Sequence, residues 1–581
     1  MSYQAPLKDM RFVLNDLAGL SEVAKLPGYQ DATPDTVDAI LEEASKFASE
    51  VLDPINYSGD REGSVWKDGA VATPKGFKQA YQQYVAGGWG ALPFDAEHGG
   101  QGLPKLVATA VEEMLTSSNM SFSLCPLLTQ GAIHALELCG SDELKHTYLA
   151  KMIEGSWTGT MNLTEPQAGS DLALVRTRAM PHGDHYRISG QKIFITYGEH
   201  DLSENIVHLV LARTPQAPEG VKGISLFLVP KFIPGKDGTP GKRNSARCAS
   251  IEHKLGIHAS PTAVMMFEEA VGYLVGEENK GLSYMFIMMN AARFSVGLEG
   301  VAISERAFQR ALAYAKERLQ GKDLAQGGQT VPIIRHPDVR RMLMLMKSQT
   351  EAMRALAYVV AAAMDFARKT AERKHQAFVD LMIPVVKGWC TETGIAVASL
   401  GVQVHGGMGF VEETGAAQYL RDARITTIYE GTTGIQAMDL VGRKIAREGG
   451  ATAKAWLGEL RKLDPQLAGH PQLRKALADG AQAVEECVDF IVGAKDPRTQ
   501  FAGAVPFLML MGIVAGGWQM ARAALAAERK KSQDPAFYEA KIATARFYAD
   551  HVLAQAPGLR NTVVNGAADV MALSEDQFLA A

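Results

Sequence analysis

A chain of 581 residues is long enough for three or four domains, each with its own core. Its 47% hydrophobic content and mean hydropathy of -0.05 read as an ordinary globular protein, and a formal net charge of -5 gives no basic field for nucleic acid. Five cysteines (Cys125, Cys139, Cys248, Cys390 and Cys487) without CxxC spacing predict free thiols, and residues 1–14 lack the basic and apolar regions of a signal peptide, so a reducing, cytoplasmic setting is expected.

The first 155 or so residues read as helical. Thr33 and Pro34 supply an N-cap and a proline at the first helical position. Val37, Ile40, Leu41, Ala44, Phe47, Ala48 and Val51 then trace one face of an amphipathic helix. Gly99, Gly100 and Gly102 break the pattern before a long helical stretch expected over about 106–138. His134, within it, is read as a satisfied core or surface histidine.

Between about Trp157 and Val275 the periodicity becomes that of strands. Turns are expected at His182-Gly183-Asp184 and at Ser189-Gly190-Gln191, the second just ahead of the run Ile193 to Thr196. Ile206 to Leu211 and Ile224 to Val229 are short and rich in β-branched residues, as buried strands are. His253 and His258 lie near each other in sequence, but no cysteine or carboxylate cluster completes a ligand set, so no metal is expected.

Helices resume near Gly281, with expected spans of 282–319, 337–369 and 376–400 forming an antiparallel bundle. Met342, Met344 and Met346 read as core or interface filler. The glycine cluster from His405 to Gly409 closes this set. The stretch Ile428 to Gln436 then places a carboxylate, Glu430, just before a helix. Thr433 and Gln436 fit a capping box, and Ile435, Met438, Val441 and Ile445 recur at helical spacing. A helix N-terminus favours the ionised carboxylate, and screening from water opposes it.

After Gly450 a further helical region is expected. No charge appears between Arg498 and Arg522, and Gly512 and Gly516 make a GxxxG pair. By length alone this is a candidate membrane span. Gly503, Pro506, Gly516 and Gly517 suit lipid contact poorly, so burial in a bundle or at a subunit contact is expected instead of a span.

The run Leu163-Thr164-Glu165-Pro166-Gln167-Ala168-Gly169-Ser170-Asp171 resembles the signature of the acyl-CoA dehydrogenases. Four more stretches fit that family in its own order. They are Gly190 to Thr196, Glu317-Arg318 to Lys322, Gln403 to Gly407, and Arg421-Asp422 leading to Tyr429-Glu430-Gly431-Thr432. The resemblance runs over about residues 35–447 and implies an α+β fold. Its parts are an N-terminal helical domain (1–155), a middle β domain (156–278) and a helical bundle carrying the glutamate (279–450). An extra C-terminal helical extension (451–581) follows.

The resemblance also implies FAD. Met161, Leu163, Thr164, Gly169 and Ser170 match the contacts to the isoalloxazine edge, and Phe194, Ile195 and Thr196 match its wall, with Thr196 bonding near the reactive nitrogen. Phe194 stands where the family often has tryptophan, keeping an aromatic wall without the indole N–H. Arg318 matches an arginine that reaches the FAD of a neighbouring subunit, Gln403 and Gly407 match partners beyond it, and Thr432 is also assigned to the cofactor. A forked, permanently charged guanidinium suits a pyrophosphate. Ser170, Arg293, Tyr429 and Gly431 fall on the substrate side. Glu430 is then the base that removes the α-proton of an acyl thioester while the flavin takes the β-hydrogen as hydride, leaving a trans-2-enoyl-CoA. The implied partners are an acyl-CoA, an electron-transfer flavoprotein as acceptor, and further copies of the chain as a homodimer or dimer of dimers. The extension and the run Phe194 to Asp201 look like the long bacterial subgroup. Its substrates include 3-(methylthio)propanoyl-CoA and fatty acyl-CoAs from short to long. Two rival readings are an acyl-CoA oxidase on the same fold, marked by oxygen consumption and peroxide, and a non-catalytic assembly protein, marked by a flavin that acyl-CoA does not bleach.

Overall fold

Helix α1 (Pro34–Lys46) starts where the threonine-proline pair predicts, with Thr33 Oγ1 accepting from Thr36 N at 3.2 Å. The computed structural model describes residues 2–325 and 327–579. The single helix expected over 106–138 is two helices, α2 (Lys105–Ser118) and α3 (Met120–Cys139). Asn119 separates them in extended conformation, its side chain accepting from Phe122 N at 3.1 Å. An asparagine that caps a new helix competes with the continuing ladder. Both helices are almost wholly buried, so the apolar pattern carries through the break and hides it.

The middle region is a seven-stranded sheet. Its strands are β1 (Trp157–Asn162), β2 (Arg178–His182), β3 (His185–Thr196), β4 (Asn205–Ala212), β5 (Ser225–Pro230), β6 (Ala246–Ile251) and β7 (Thr262–Val275). The order is β1-β4-β5-β7-β3-β2, with β6 also paired to β7. β1 and β4 run parallel, Trp157 opposite Asn205, and the other pairings are antiparallel. The β2–β3 hairpin turns at Gly183, as expected. The second expected turn is absent, because β3 continues through Ser189–Gln191 with Gly190 opposite Phe267 and Gln191 opposite Met266. Glycine is needed at 190 for close approach, since a Cβ there would lie 2.5 Å from Thr177 Oγ1.

The bundle comprises α4 (Gly281–Glu317), the hairpin β8 (Leu319–Asp323) and β9 (Gly327–Pro332), α5 (Pro337–Lys369) and α6 (Arg373–His405). α5 has the expected span, while α6 is longer than expected at both ends. α4 and α6 run parallel, each antiparallel to α5. Gly297 faces Val386, Gly300 faces Cys390 and Gly401 faces Ala307. Across the bundle, buried Arg354 donates to Asp9 at 2.6 Å, Glu113 at 2.6 Å and Glu305 at 2.7 Å. A guanidinium has enough donors to satisfy three carboxylates at once. It thereby ties the N-terminal segment and α2 to α4 and α5.

Helix α7 (Thr433–Asp439) passes into a π-helical turn, Leu440–Ala446. The extension follows, with α8 (Pro471–Gly493), α9 (Ala504–Lys530) and α10 (Pro535–His551). Most of the uncharged segment forms the first part of α9, with Gly503 at its N-cap and Pro506 in its first turn, after a short helix Pro497–Ala502. Among the described residues α4 and α9 are long and apolar enough to cross a membrane, but 67% and 78% of their apolar windows are buried inside the fold. The glycine pair has a local cause. A Cβ at Gly512 or Gly516 would lie 2.1 or 2.8 Å from the ring of Trp389, so the two glycines form a seat for that indole of α6.

Candidate active site

Glu430 and Gly431 are successive left-handed residues, with φ of 54° and 91°. Glycine takes that conformation freely, whereas a glutamate held there costs about 1–3 kcal/mol and persists only where its surroundings over-determine it. Here they do. Gln436 Nε2 donates to the Glu430 carbonyl at 3.1 Å and to the Gly431 carbonyl at 3.3 Å. Lys387 Nζ donates to the Thr426 carbonyl at 2.8 Å, and Thr433 Oγ1 donates to Glu392 at 2.6 Å. The Tyr429 hydroxyl donates to Glu299. The expected box between Thr433 and Gln436 therefore does not form. Thr432 is the N-cap, accepting from Ile435 N at 3.2 Å, and the Gln436 amide is drawn instead to the carbonyls of the left-handed pair.

Glu430 as a residue is half-buried, but desolvation of its carboxyl pushes it up to about 7, with Lys387 and then Arg293 pulling it back down. Desolvation, one of the two influences expected from the sequence, is the largest, and the pull against it comes from these two cations. Arg293, on α4, is buried, and its guanidinium reaches Asp439 at 3.2 Å and Asn290 at 3.4 Å. Asp439 ends α7. Sequence reasoning missed it, although Thr432, Gln436 and Asp439 recur at the spacing that puts them on one helix face. It also missed Lys387 and Glu299, which read locally as ordinary charges on long helices.

Arg293 and Asp439 line a cavity of about 450 Å³ whose walls come from α3, α4, α5 and α6. Leu127, Phe294, Val379 and Ile383 give it an apolar lining. His134 also faces this cavity, its ring 5.0 Å from that of Phe94. The Tyr429 hydroxyl, assigned to the substrate side by resemblance, turns instead toward the core and Glu299.

The residues matched to the flavin divide into two groups. Met161, Leu163, Thr164, Gly169 and Ser170 run from the end of β1 into an exposed loop, where Gly169 and Ser170 are open to solvent. Their backbone is fixed from β3, with Lys192 Nζ donating to Leu163 O at 2.9 Å and Ile193 N to Thr164 O at 2.9 Å. Glu165 in the same motif is structural. Burial raises its carboxyl, but Lys192 at 2.8 Å and Thr177 Oγ1 at 2.6 Å hold it down to about 2. Phe194 stands on left-handed backbone at φ 60° and is 59% exposed, above buried Ile195 and half-buried Thr196. An aromatic face held in solvent by strained backbone, beside small exposed residues, fits a flat apolar ring system with polar edges.

The second group lies at the C-terminal ends of α4 and α6. Arg318 follows the last turn of α4 and is exposed, and Gln403 and Gly407 lie at the matching end of the parallel helix α6. The Arg318 side chain pairs with no acid among the described residues, and a Cβ at Gly407 would meet nothing within 4 Å. About 25 residues of helix, roughly 37 Å at the α-helical rise, separate Arg293 from Arg318. Exposed Leu319, Leu324, Met408 and Phe410 surround these ends.

Four family models match in succession: the acyl-CoA dehydrogenase N-terminal domain at residues 34–156, its middle domain at 160–270, its C-terminal domain at 279–445, and an acetyl-CoA dehydrogenase C-terminal-like domain at 451–574. The chain is 52% identical over 568 residues to the 3-methylmercaptopropionyl-CoA dehydrogenase of Ruegeria pomeroyi, covering 96% of this chain and 97% of that one. It is 34% identical to the broad-specificity linear acyl-CoA dehydrogenase FadE5 of Mycobacterium tuberculosis, over 99% of this chain and 100% of that one. A solved acyl-CoA dehydrogenase of Bacillus anthracis complexed with FAD matches with a TM-score of 0.74 at 20% identity, covering 96% of this chain and 91% of that one, and so shares the fold.

Proposed function

This chain belongs to the acyl-CoA dehydrogenase family, and from that premise we propose that it uses Glu430 to withdraw the α-proton of a saturated acyl-CoA, forming a trans-2-enoyl-CoA. The observation that carries the reading is the Glu430 loop itself, a carboxylate held on strained backbone and raised to about 7 by burial. A base poised near the working pH is ionised often enough to accept a proton and basic enough to drive its removal. Glu430 N donates to no acceptor among the described residues, which leaves it free for a thioester oxygen whose charge grows as the proton leaves. Arg293 is neutralised by Asp439 and orders the helix that follows the base. The apolar walls of the cavity beside Arg293 and Asp439 would take the acyl chain.

Met161, Leu163, Thr164, Gly169, Ser170 and Phe194 to Thr196 would hold the isoalloxazine of an FAD, which when bound supplies the acceptor for the β-hydrogen. Arg318, Gln403 and Gly407 would hold the cofactor of a second copy, and that copy would cover Leu319, Leu324, Met408 and Phe410. We assign 3-(methylthio)propanoyl-CoA or a saturated fatty acyl-CoA as substrate, an electron-transfer flavoprotein as acceptor, and the cytoplasm as location. The likeness to the Ruegeria enzyme supports the first substrate.

Anaerobic addition of a panel of acyl-CoAs, the methylthio compound included, should bleach the yellow purified protein. A flavin bleached by none of them overturns the reading, and rapid oxygen consumption with peroxide makes the enzyme an oxidase. For the free enzyme, kcat/KM should rise with pH through an acid limb near 7, because the ionised Glu430 is the reactive form. A limb near the usual carboxylate value would mean that Glu430 is not the titrating group. Arg318→Ala should retain less FAD and melt at lower temperature, with excess FAD restoring part of the loss by mass action. A variant that purifies fully yellow and equally stable would make Arg318 a plain surface charge.

A further inference from the structure

Glu299 lies on α4 six residues beyond Arg293 and is 1% exposed. Its Oε2 accepts from the Tyr429 hydroxyl, and its Oε1 has no protein partner. Across from it on α6, the buried Lys387 spends its ammonium on the Thr426 carbonyl at 2.8 Å and forms no ion pair with Glu299. The segment that delivers Glu430 is thus pinned from beneath at Thr426 and again at Tyr429, by side chains rooted in the bundle core. Gln436 holds the same loop from the other side through the carbonyls of Glu430 and Gly431. Strained left-handed backbone needs such bracing.

The charge of the brace matters as well as its reach. A carboxylate left in the core without a cation or a full set of donors is costly, whereas the neutral acid is much less so. Burial accordingly pushes the Glu299 carboxyl up to about 8, with the Tyr429 hydrogen bond and Lys387 acting against it and Glu430 with it. The groups that face Glu299 are Tyr429 from the loop, Lys387 from α6 and Glu430 itself. Arg293 on its own helix and Glu392 on α6 act on Lys387.

We propose that Glu299 is a positioning residue for Glu430: as an uncharged acid it anchors the Tyr429 hydroxyl, and through it the strained backbone of the base, without adding a second negative charge beside it. This rests on the reading of Glu430 as the base.

The test uses the full-length, FAD-loaded enzyme and the variants Glu299→Gln, Glu299→Leu and Tyr429→Phe. The first readout is the melting temperature from pH 4 to 9. A carboxyl whose folded pKa is raised contributes stability that is fully present below its unfolded value, about 4.3, and lost as pH rises through the folded value. Glu299→Gln escapes that loss, so it should gain steadily on the wild type between about pH 4.3 and about 8. The second readout is the rate of flavin bleaching by saturating acyl-CoA against pH. Glu299→Gln should stay within about threefold of the wild type at pH 7 with its acid limb in place. Glu299→Leu and Tyr429→Phe should lower kcat by about tenfold or more, with KM little changed and the limb displaced, as a misplaced base does. A pH-independent melting difference for Glu299→Gln, a displaced limb in that variant, or wild-type kinetics in Tyr429→Phe would each overturn the proposal. If no acyl-CoA bleaches the wild type, the proposed reaction fails on its own account, and the melting series still decides whether Glu299 is neutral.

Discussion

Glu430→Gln should give a folded, yellow protein whose flavin acyl-CoA bleaches about 10² to 10⁴ times more slowly than that of the wild type. The amide keeps the shape of the carboxylate and one of its acceptors but has no place for the α-proton. Folding should survive, because the Glu430 side chain accepts no hydrogen bond from the described residues and its removal orphans no donor. The loop is fixed through backbone carbonyls that the substitution leaves alone, held by Gln436 and Lys387. Burial makes the carboxylate costly, so the uncharged amide should hold or slightly raise the melting temperature above pH 7. Stopped-flow bleaching together with the FAD content of the purified variant checks both halves. Near-normal bleaching would place the base elsewhere and make the strained loop a structural curiosity.

Ending the chain at Gly450 should cause aggregation or loss of the native assembly. The extension covers the bundle with the seat on which Trp389 lies, and Leu508 packs against Gly388. Removing it would expose the faces of α5 and α6 that α9 covers, and a patch of that size drives association. The electrostatic loss is as serious. Lys541, on α10, is buried between Asp9 and Glu351 beside the cluster around Arg354, and burial pulls its ammonium down to about 7. Taking one partner from a buried ionic set typically costs about 3–5 kcal/mol, because the remaining charges stay buried. Arg522 also donates to the Leu17 carbonyl at 2.6 Å, so the N-terminal segment would lose a tie of its own. Light scattering and size-exclusion chromatography of the truncated protein provide the check. A monodisperse truncation with unchanged assembly, or an intact protein that pellets with membranes, would mean that α9 is placed wrongly.

Features set by a few neighbouring residues were legible in the chain. Thr33-Pro34 and Pro337 fix the starts of α1 and α5 because proline at the first helical turn is locally pre-organised. The β-branched runs at 206 and 224 became buried strands. Glu430 was placed before a helix, and the run around Glu165 was recognised by its motif. Local rules failed where a residue had a competing partner in space. Asn119 caps a new helix inside an unbroken apolar pattern, Gly190 makes room for Thr177, and Gln436 leaves its expected cap for the Glu430 and Gly431 carbonyls.

What the sequence determined by itself was the α+β class, with helical regions on either side of a β region, since that rests on periodicity along the chain. Only the tertiary structure decided what surrounds the Glu430 carboxylate. Arg293 meets Asp439 from 146 residues away, and Tyr429 meets Glu299 from 130. Lys387 reaches Thr426 from 39 residues away, on a helix that α4 packs against closely at Gly297 and Gly300. The same packing takes water from the carboxyls of Glu430 and Glu299, and that raises both. Desolvation is a property of everything packed around a group, and no stretch of sequence carries it alone.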